Sequence, residues 1–303
     1  MSGAGQDHLP RRLWWLLAGL TFAWGFNWTA MKVALAEVPP WTFRALCLGF
    51  GSAVLFAVLR AGGQRLAVPV GQWPRLAMLA FFNITCWNVL IAFGMTMIPS
   101  GRAAILAYTM PALAIPLSVW ILKERLTGRK LAGLALGMSG LALLLGEAAF
   151  GLGRAPVGSL LVLGAAASWA LGVVLQKRYP MTTAPGEYSA WIMLLGGVPI
   201  FACALLFDDP AALWGIGLGA ALGVAYNVLV AFAWAHWAWI KLATSVSVTV
   251  FSLSMLVIPV VGVLSGMLFL GERPSWPEYA ALVLVLGSLL SVIAPAPKPP
   301  ARE

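Results

Sequence analysis

Apolar residues run along this chain in ten long blocks, each close to the roughly 20 residues that a membrane-spanning helix needs. The blocks are Leu13–Ala34, Trp41–Leu59, Leu76–Met97, Ala103–Leu122, Leu131–Glu147, Gly158–Gln176, Tyr188–Phe207, Ala211–Trp234, Ser245–Leu270 and Tyr279–Ile293. Charged residues collect in the short connectors between them, so little chain remains for a soluble domain. The pattern predicts an all-α membrane protein of ten transmembrane helices. The first block is too long for the apolar core of a signal peptide, and no small-residue cleavage site follows it, so it counts as the first span. The Pro-rich end, Pro295–Pro300, reads as an extended strip.

Composition agrees with that pattern. Of 303 residues 61% are apolar and 10% charged, against about 25% charged in an average soluble domain. The formal net charge of +9 would suit a nucleic-acid partner only if it formed a basic patch on a soluble surface. Here the Lys and Arg sit in connectors instead, where they act as orientation signals. With the N-terminus inside, the inner segments hold fourteen of them and the outer segments five, namely Lys32, Arg44, Arg102, Arg154 and Arg273. That bias puts both termini in the cytoplasm. Cys47, Cys86 and Cys203 each stand alone in an apolar run, with no metal or redox spacing. Nothing in the chain asks for a cofactor or a metal.

The two halves of the chain repeat each other. Pro111 precedes Glu124-Arg125 as Pro259 precedes Glu272-Arg273, at a common offset of 148 residues. Trp24, Lys32 and Pro40 match Trp169, Lys177 and Pro185, and the run from Trp87-Asn88 to Phe93 matches that from Tyr226-Asn227 to Phe232. Five spans per half is an odd number, so the halves must cross the membrane in opposite directions. Inverted repeats of this kind let a carrier expose one central site to each side in turn. The organisation predicted is a tail over 1–12, a first repeat over 13–147, an outer linker over 148–157, a second repeat over 158–293 and a tail over 294–303.

These residues carry a family resemblance. The Trp24-Gly25 to Lys32 helix, Arg44 early in the second span, the endings from Pro111 to Glu124-Arg125-Leu126 and from Pro259 to Gly271-Glu272-Arg273, and the five-plus-five layout resemble the EamA branch of the drug/metabolite transporter superfamily. The resemblance covers nearly the whole chain. It implies a ten-helix carrier of the bacterial inner membrane, in most members an exporter of amino acids or related small metabolites. It also implies a transport core of the first four spans of each half, with the fifth and tenth spans outside it at a homodimer contact.

Few residues bring chemistry into the spans. None of the ten Asp and Glu lies near the middle of one, so the usual intramembrane proton carrier is missing. Asn88 and Asn227 stand in equivalent mid-span positions beside Trp87 and Tyr226. They fit either a paired substrate site, since an amide can accept from an ammonium and donate to a carboxylate, or interhelical bonding. Trp24, Trp169 and Tyr108 are mid-span aromatics that suit the wall of a pocket for an amphiphilic solute or plain helix packing. Arg44 is the ranked candidate among the outer cations. Lys32 and Arg102 fit either attraction of a carboxylate or phosphate leaving the cavity or, in preference, snorkelling to headgroups, and His236, able to titrate near neutral pH, fits the cytoplasmic interface. Pro111 and Pro259 predict mid-helix kinks. The substrate-binding set is therefore Asn88, Asn227, Trp87, Tyr226, Trp24, Trp169, Tyr108 and Arg44.

The reading is a small-molecule carrier. A drug or lipid-like exporter is the rival within the class. A receptor or structural membrane protein is the rival outside it, and would show no solute flux. An intramembrane enzyme lacks support, since there is no HExxH, no paired intramembrane carboxylate and no Ser/His pair with a base.

Overall fold

The computed structural model describes residues 10–64, 66–150, 155–243, 245–246 and 254–293. Most of both predicted tails, the Pro295–Pro300 strip, the centre of the 148–157 linker and the opening turns of the ninth predicted span lie outside the described residues. All described elements are helical: α1 Arg11–Ala34, α2 Pro40–Ala61, α3 Trp73–Ala80, α4 Trp87–Met95, α5 Ser100–Ala107, α6 Met110–Leu122, α7 Gly128–Phe150, α8 Ala155–Arg178, α9 Pro185–Phe207, α10 Leu218–Ala225, α11 Ala235–Ala243, α12 Val257–Leu270 and α13 Trp276–Ile293.

Several of these join end to end. α3 and α4 are one rod through the π-helical segment Phe81–Cys86, and α10 and α11 one rod through the π-helical segment Tyr226–Trp234. Counting rods, seven helices among the described residues are long and apolar enough to cross a bilayer, and Val257–Leu270 and Trp276–Ser291 are shorter apolar helices. α1 has 24 residues, about 36 Å at 1.5 Å each. Its four Trp, Asn27 and two Thr keep its hydropathy below that of the others. The rods bury their small residues and turn large apolar ones outward. Leu206, Phe207, Leu268 and Val283 are all more than 60% exposed. A soluble protein rarely leaves such a surface bare, whereas lipid covers it without cost.

The eighth rod begins later than its hydropathy block. Pro210–Leu213 forms a 3-10 turn, Gly215 takes a left-handed φ of 100°, and the helix starts only at Leu218. It then runs on to Leu242, which absorbs the extra segment of the second half.

Packing follows the repeat. α1 lies against α12 and against the α10–α11 rod, while its counterpart α8 lies against α5–α6 and against the α3–α4 rod. α2 packs on its own counterpart α9, and α7 on its counterpart α13. Both self-paired contacts are antiparallel. Thr42 at the start of α2 meets Asp208 at the end of α9, and Leu59 near the end of α2 meets Gly186 near the start of α9. Ser288 late in α13 donates to the Gly133 carbonyl early in α7 at 2.6 Å, and Gly140 further along faces Ala281. Equivalent helices running in opposite directions are the structural form of an inverted repeat. The small residues Gly133, Gly137 and Gly140 of α7 thus face α13 of the same chain, where close backbone approach is their use.

The prolines predicted as mid-helix kinks do something different. The fourth span is interrupted at Tyr108–Thr109, and Pro111 sits in the first turn of α6, where a missing N–H is no loss. Leu256, the repeat counterpart of Tyr108, is likewise a turn, and Pro259 falls in the first turn of α12. Each proline restarts a broken helix rather than bending a continuous one. The two helices also end alike. Lys123 and Gly271, which correspond in the repeat, close α6 and α12 in the left-handed conformation at φ 57° and 64°.

Candidate functional site

A cavity of about 170 Å³ lies between the two halves. Its wall reads out helical periodicity. Trp24, Asn27, Trp28 and Met31 come from one face of α1, and Ile84, Trp87, Asn88 and Ile91 from one face of the third rod, each at steps of three and four. Arg44, Tyr108, Met110, Trp169, Ala231, Phe232 and His236 complete the lining. Two larger hollows, of about 480 and 390 Å³, share Leu46, Phe50 and Leu213 and carry almost no polar group. The smaller cavity is the one with groups able to orient a solute.

Its rings lock one another. Trp87 and Trp169 meet at 5.0 Å between centroids, and His236 stacks on Phe232 at 5.5 Å while presenting its edge to Trp24 at 5.9 Å. The π-helical segments hold the wall in register. A π turn misaligns carbonyls that an α-helix would use internally, and here those groups serve neighbouring helices. Ala231 accepts from Trp24 Nε1 at 3.2 Å, and Phe82 accepts from Ser168 Oγ at 2.7 Å.

Of the residues singled out in the sequence, Trp24, Arg44, Trp87, Asn88, Tyr108 and Trp169 line this cavity, and Asn227 and Tyr226 do not. Asn88 spends its amide N–H on the Ile84 carbonyl at 2.9 Å, which leaves Oδ1 to offer. Asn227 donates likewise to Gly223 at 2.9 Å, but it is fully buried and its Oδ1 has no partner. Tyr226 points to α1, donating to the Ala23 carbonyl at 2.9 Å. The nine-residue π segment that begins at Tyr226 shifts the phase of the eighth rod, so the cavity receives Ala231, Phe232 and His236 from it.

Arg44 is 3% exposed. Its Nη2 approaches Met31 Sδ at 2.7 Å, its guanidinium lies 5.1 Å from the Phe43 ring and 6.0 Å from that of Phe232, and its Nε has no partner. His236 is at the cavity wall rather than the cytoplasmic interface, because the eighth rod extends eight residues past its predicted end. Lys32 and Arg102 also depart from expectation. Lys32 donates to the Met95 and Ile98 carbonyls at 2.5 and 2.7 Å, and Arg102 pairs with buried Glu278 at 2.7 Å. Neither needs the headgroups. Asn27, Trp28 and Met31 escaped sequence reading, although their spacing from Trp24 was the available signal.

The two ends of the bundle are closed by related residues in unlike ways. At the end carrying Lys32, Glu272 accepts from the Ser100 and Gly101 amides at 2.6 and 3.0 Å and ties the end of α12 to the start of α5. At the opposite end its counterpart Glu124 takes Lys130 at 2.6 Å and Lys177, the counterpart of Lys32. Those two lysines hold the Glu124 carboxyl below its ordinary value, Lys130 foremost. Among the described residues no group of three or more His, Cys, Asp or Glu is placed to hold a metal.

Comparison with known proteins defines the class. The EamA-like transporter family matches twice, over residues 13–146 and 156–294. The chain belongs to that family and is a multi-pass membrane transporter, not an enzyme. It is 25% identical to the "Uncharacterized transporter YoaV" of Bacillus subtilis over 90% of this chain and 92% of that one. It is 29% identical to a "Probable amino-acid metabolite efflux pump" of Escherichia coli over 88% of this chain and 89% of that one. With the "Aromatic amino acid exporter YddG" of Ancylobacter novellus it shares 28% identity over 63% of this chain and 67% of that one. A solved crystal structure superposes with a TM-score of 0.65, covering 92% of this chain and 96% of its own at 22% identity, which shows the shared fold.

Proposed function

We propose that this protein exports amino acids or related small metabolites across a bacterial inner membrane by alternating access, through ten spans with both termini cytoplasmic. The observation that carries the reading is the cavity at the repeat interface, where aromatic faces surround Arg44 and Asn88. A small amphiphilic metabolite needs such a mixture, with apolar walls for its body and a few placed polar groups for its head. The named functions of the Escherichia coli and Ancylobacter novellus relatives support the same substrate class. The inverted repeat supports the mechanism, because rocking one half against the other opens the site to each side by near-equivalent movements. The excess of Lys and Arg in one set of connectors supports the orientation.

The test is efflux of labelled amino acids, their carboxylate relatives, nucleosides and cationic dyes from proteoliposomes. Flux confined to the first two classes, lowered at least about tenfold by Asn88→Ala or Trp87→Ala and little by Asn227→Ala, is the expected result. Flux of dyes or nucleosides alone would refute the substrate class. Flux indifferent to both cavity substitutions would refute the site.

A further inference from the structure

We infer that the cargo is a monocarboxylate with an apolar or aromatic body and no ammonium group, held by Arg44. This rests on the transporter reading above and narrows its substrate class.

The charge of the cavity carries the inference. A guanidinium keeps its proton in a protein, so Arg44 brings a permanent positive charge into a space otherwise lined by apolar and aromatic side chains, the neutral amides of Asn27 and Asn88 and the His236 ring. None of the lining residues is Asp or Glu. The carboxylates described nearby are engaged at helix ends, Asp208 with Thr42, Glu37 with the Gly217 amide and Glu272 with the α5 amides. The segment 247–253 contains no acidic residue at all. Among the described residues Arg44 has no carboxylate partner; a buried charge without a counter-ion is costly, and Met31 Sδ with two ring faces is a poor substitute for one. The guanidinium fork matches a carboxylate in two parallel hydrogen bonds, so the missing partner is an anion that arrives as cargo.

The same sum argues against a zwitterion. With an amino acid bound, its ammonium and Arg44 would share the cavity with one carboxylate, leaving a net positive charge in a low-dielectric space. Aromatic faces attract a cation only weakly compared with a carboxylate. A 2-hydroxy acid, 2-oxo acid or N-acyl amino acid leaves the loaded cavity neutral. The hydroxyl of a 2-hydroxy acid or the amide N–H of an N-acyl amino acid can donate to Asn27 Oδ1, which is buried without a partner, or to the amide oxygen of Asn88.

The energy source follows from the charge of the cargo. No Asp or Glu lies near the middle of a span to carry a proton, but a monoanion needs none. An inside-negative potential expels it, with an equilibrium ratio of about 50-fold per 100 mV for one charge.

The experiment loads proteoliposomes of the wild-type chain with L-3-phenyllactate, L-phenylalanine or phenethylamine, which share one aromatic body and carry a hydroxyl with a carboxylate, an ammonium with a carboxylate, or an ammonium alone. Efflux is followed under a valinomycin-set potassium potential. The inference expects phenyllactate to leave at least about tenfold faster than phenylalanine, with phenethylamine retained. It also expects the rate to rise with inside-negative potential, to be lost in Arg44→Gln and to be partly kept in Arg44→Lys. Tryptophan fluorescence titration of the wild-type chain should give the same ranking without a variant. Phenylalanine moving or binding as well as phenyllactate would overturn this inference and leave the export reading standing. No efflux of any of the three from a folded, monodisperse protein would overturn this inference, and no efflux of any amino acid or carboxylate of the wider panel would overturn the export reading as well.

Discussion

Removing the Glu272 carboxylate tests whether the closure at its end of the bundle controls access to the cavity. Its two oxygens accept from the first two amides of α5 at 2.6 and 3.0 Å, and Pro99, which precedes α5, has no side-chain oxygen to cap them. Hydrogen bonds to a charged group are worth about 1.5–3 kcal/mol each. Taking the low end for both gives about 3 kcal/mol holding α12 to α5, a factor of about 100 in the ratio of closed to open forms if opening breaks both. Gln keeps an acceptor but loses the charge, so Glu272→Gln should forfeit about half of that free energy, a factor of about 10. The assay places a single thiol in the cavity by Met110→Cys, in a chain whose Cys47, Cys86 and Cys203 are replaced by Ala. Labelling by a membrane-impermeant maleimide is then timed from the Glu272 side. Glu272→Ala should speed labelling by up to about 100-fold and Glu272→Gln by about 10-fold. An unchanged rate in Glu272→Ala, from protein that is folded, would refute the idea that this contact bars the way.

Three other outcomes follow from the geometry. Lys123→Gly should raise thermal stability in detergent by about 0.5–1 kcal/mol, since a side chain at φ 57° pays for a conformation that glycine adopts freely; an unchanged or lower melting temperature would contradict this. Gly172→Ala should destabilise by about 1–3 kcal/mol, because its Cβ would run into the Asn83 amide that donates to the Trp169 carbonyl at 3.2 Å; a neutral melting shift would show that Asn83 can move aside. The depressed carboxyl of Glu124 adds stability that is fully present above its ordinary value of 4.5 and is lost as pH falls through the lower folded value; melting curves below pH 4.5 should therefore show an acid loss in the wild type that is smaller in Lys130→Ala.

What the sequence by itself determined was the solvent, the class and the symmetry. Blocks of apolar residues at bilayer length can satisfy their backbone only as helices in lipid, and the matched pairs Pro111/Pro259 and Glu124/Glu272 exposed the duplication. Part of the cavity was legible for the same reason, since Trp24 and the Trp87-Asn88 pair lie on regular helical faces. Only the tertiary structure decided the rest. The π segment precedes Asn88 in the third rod but begins only at Tyr226 in the eighth, so the two asparagines follow helices of different phase, Asn227 lies off the wall that Asn88 occupies, and His236 joins it from beyond the predicted span end. Arg44 could be ranked from its place early in the second span and the family resemblance there, yet its lack of a carboxylate partner among the described residues appears only when α1, α2 and the eighth rod are brought together. Local pattern fixes which face of a helix is apolar. The phase of a helix after an irregular turn, and the charge balance of a space shared by several helices, are set by packing between segments more than a hundred residues apart.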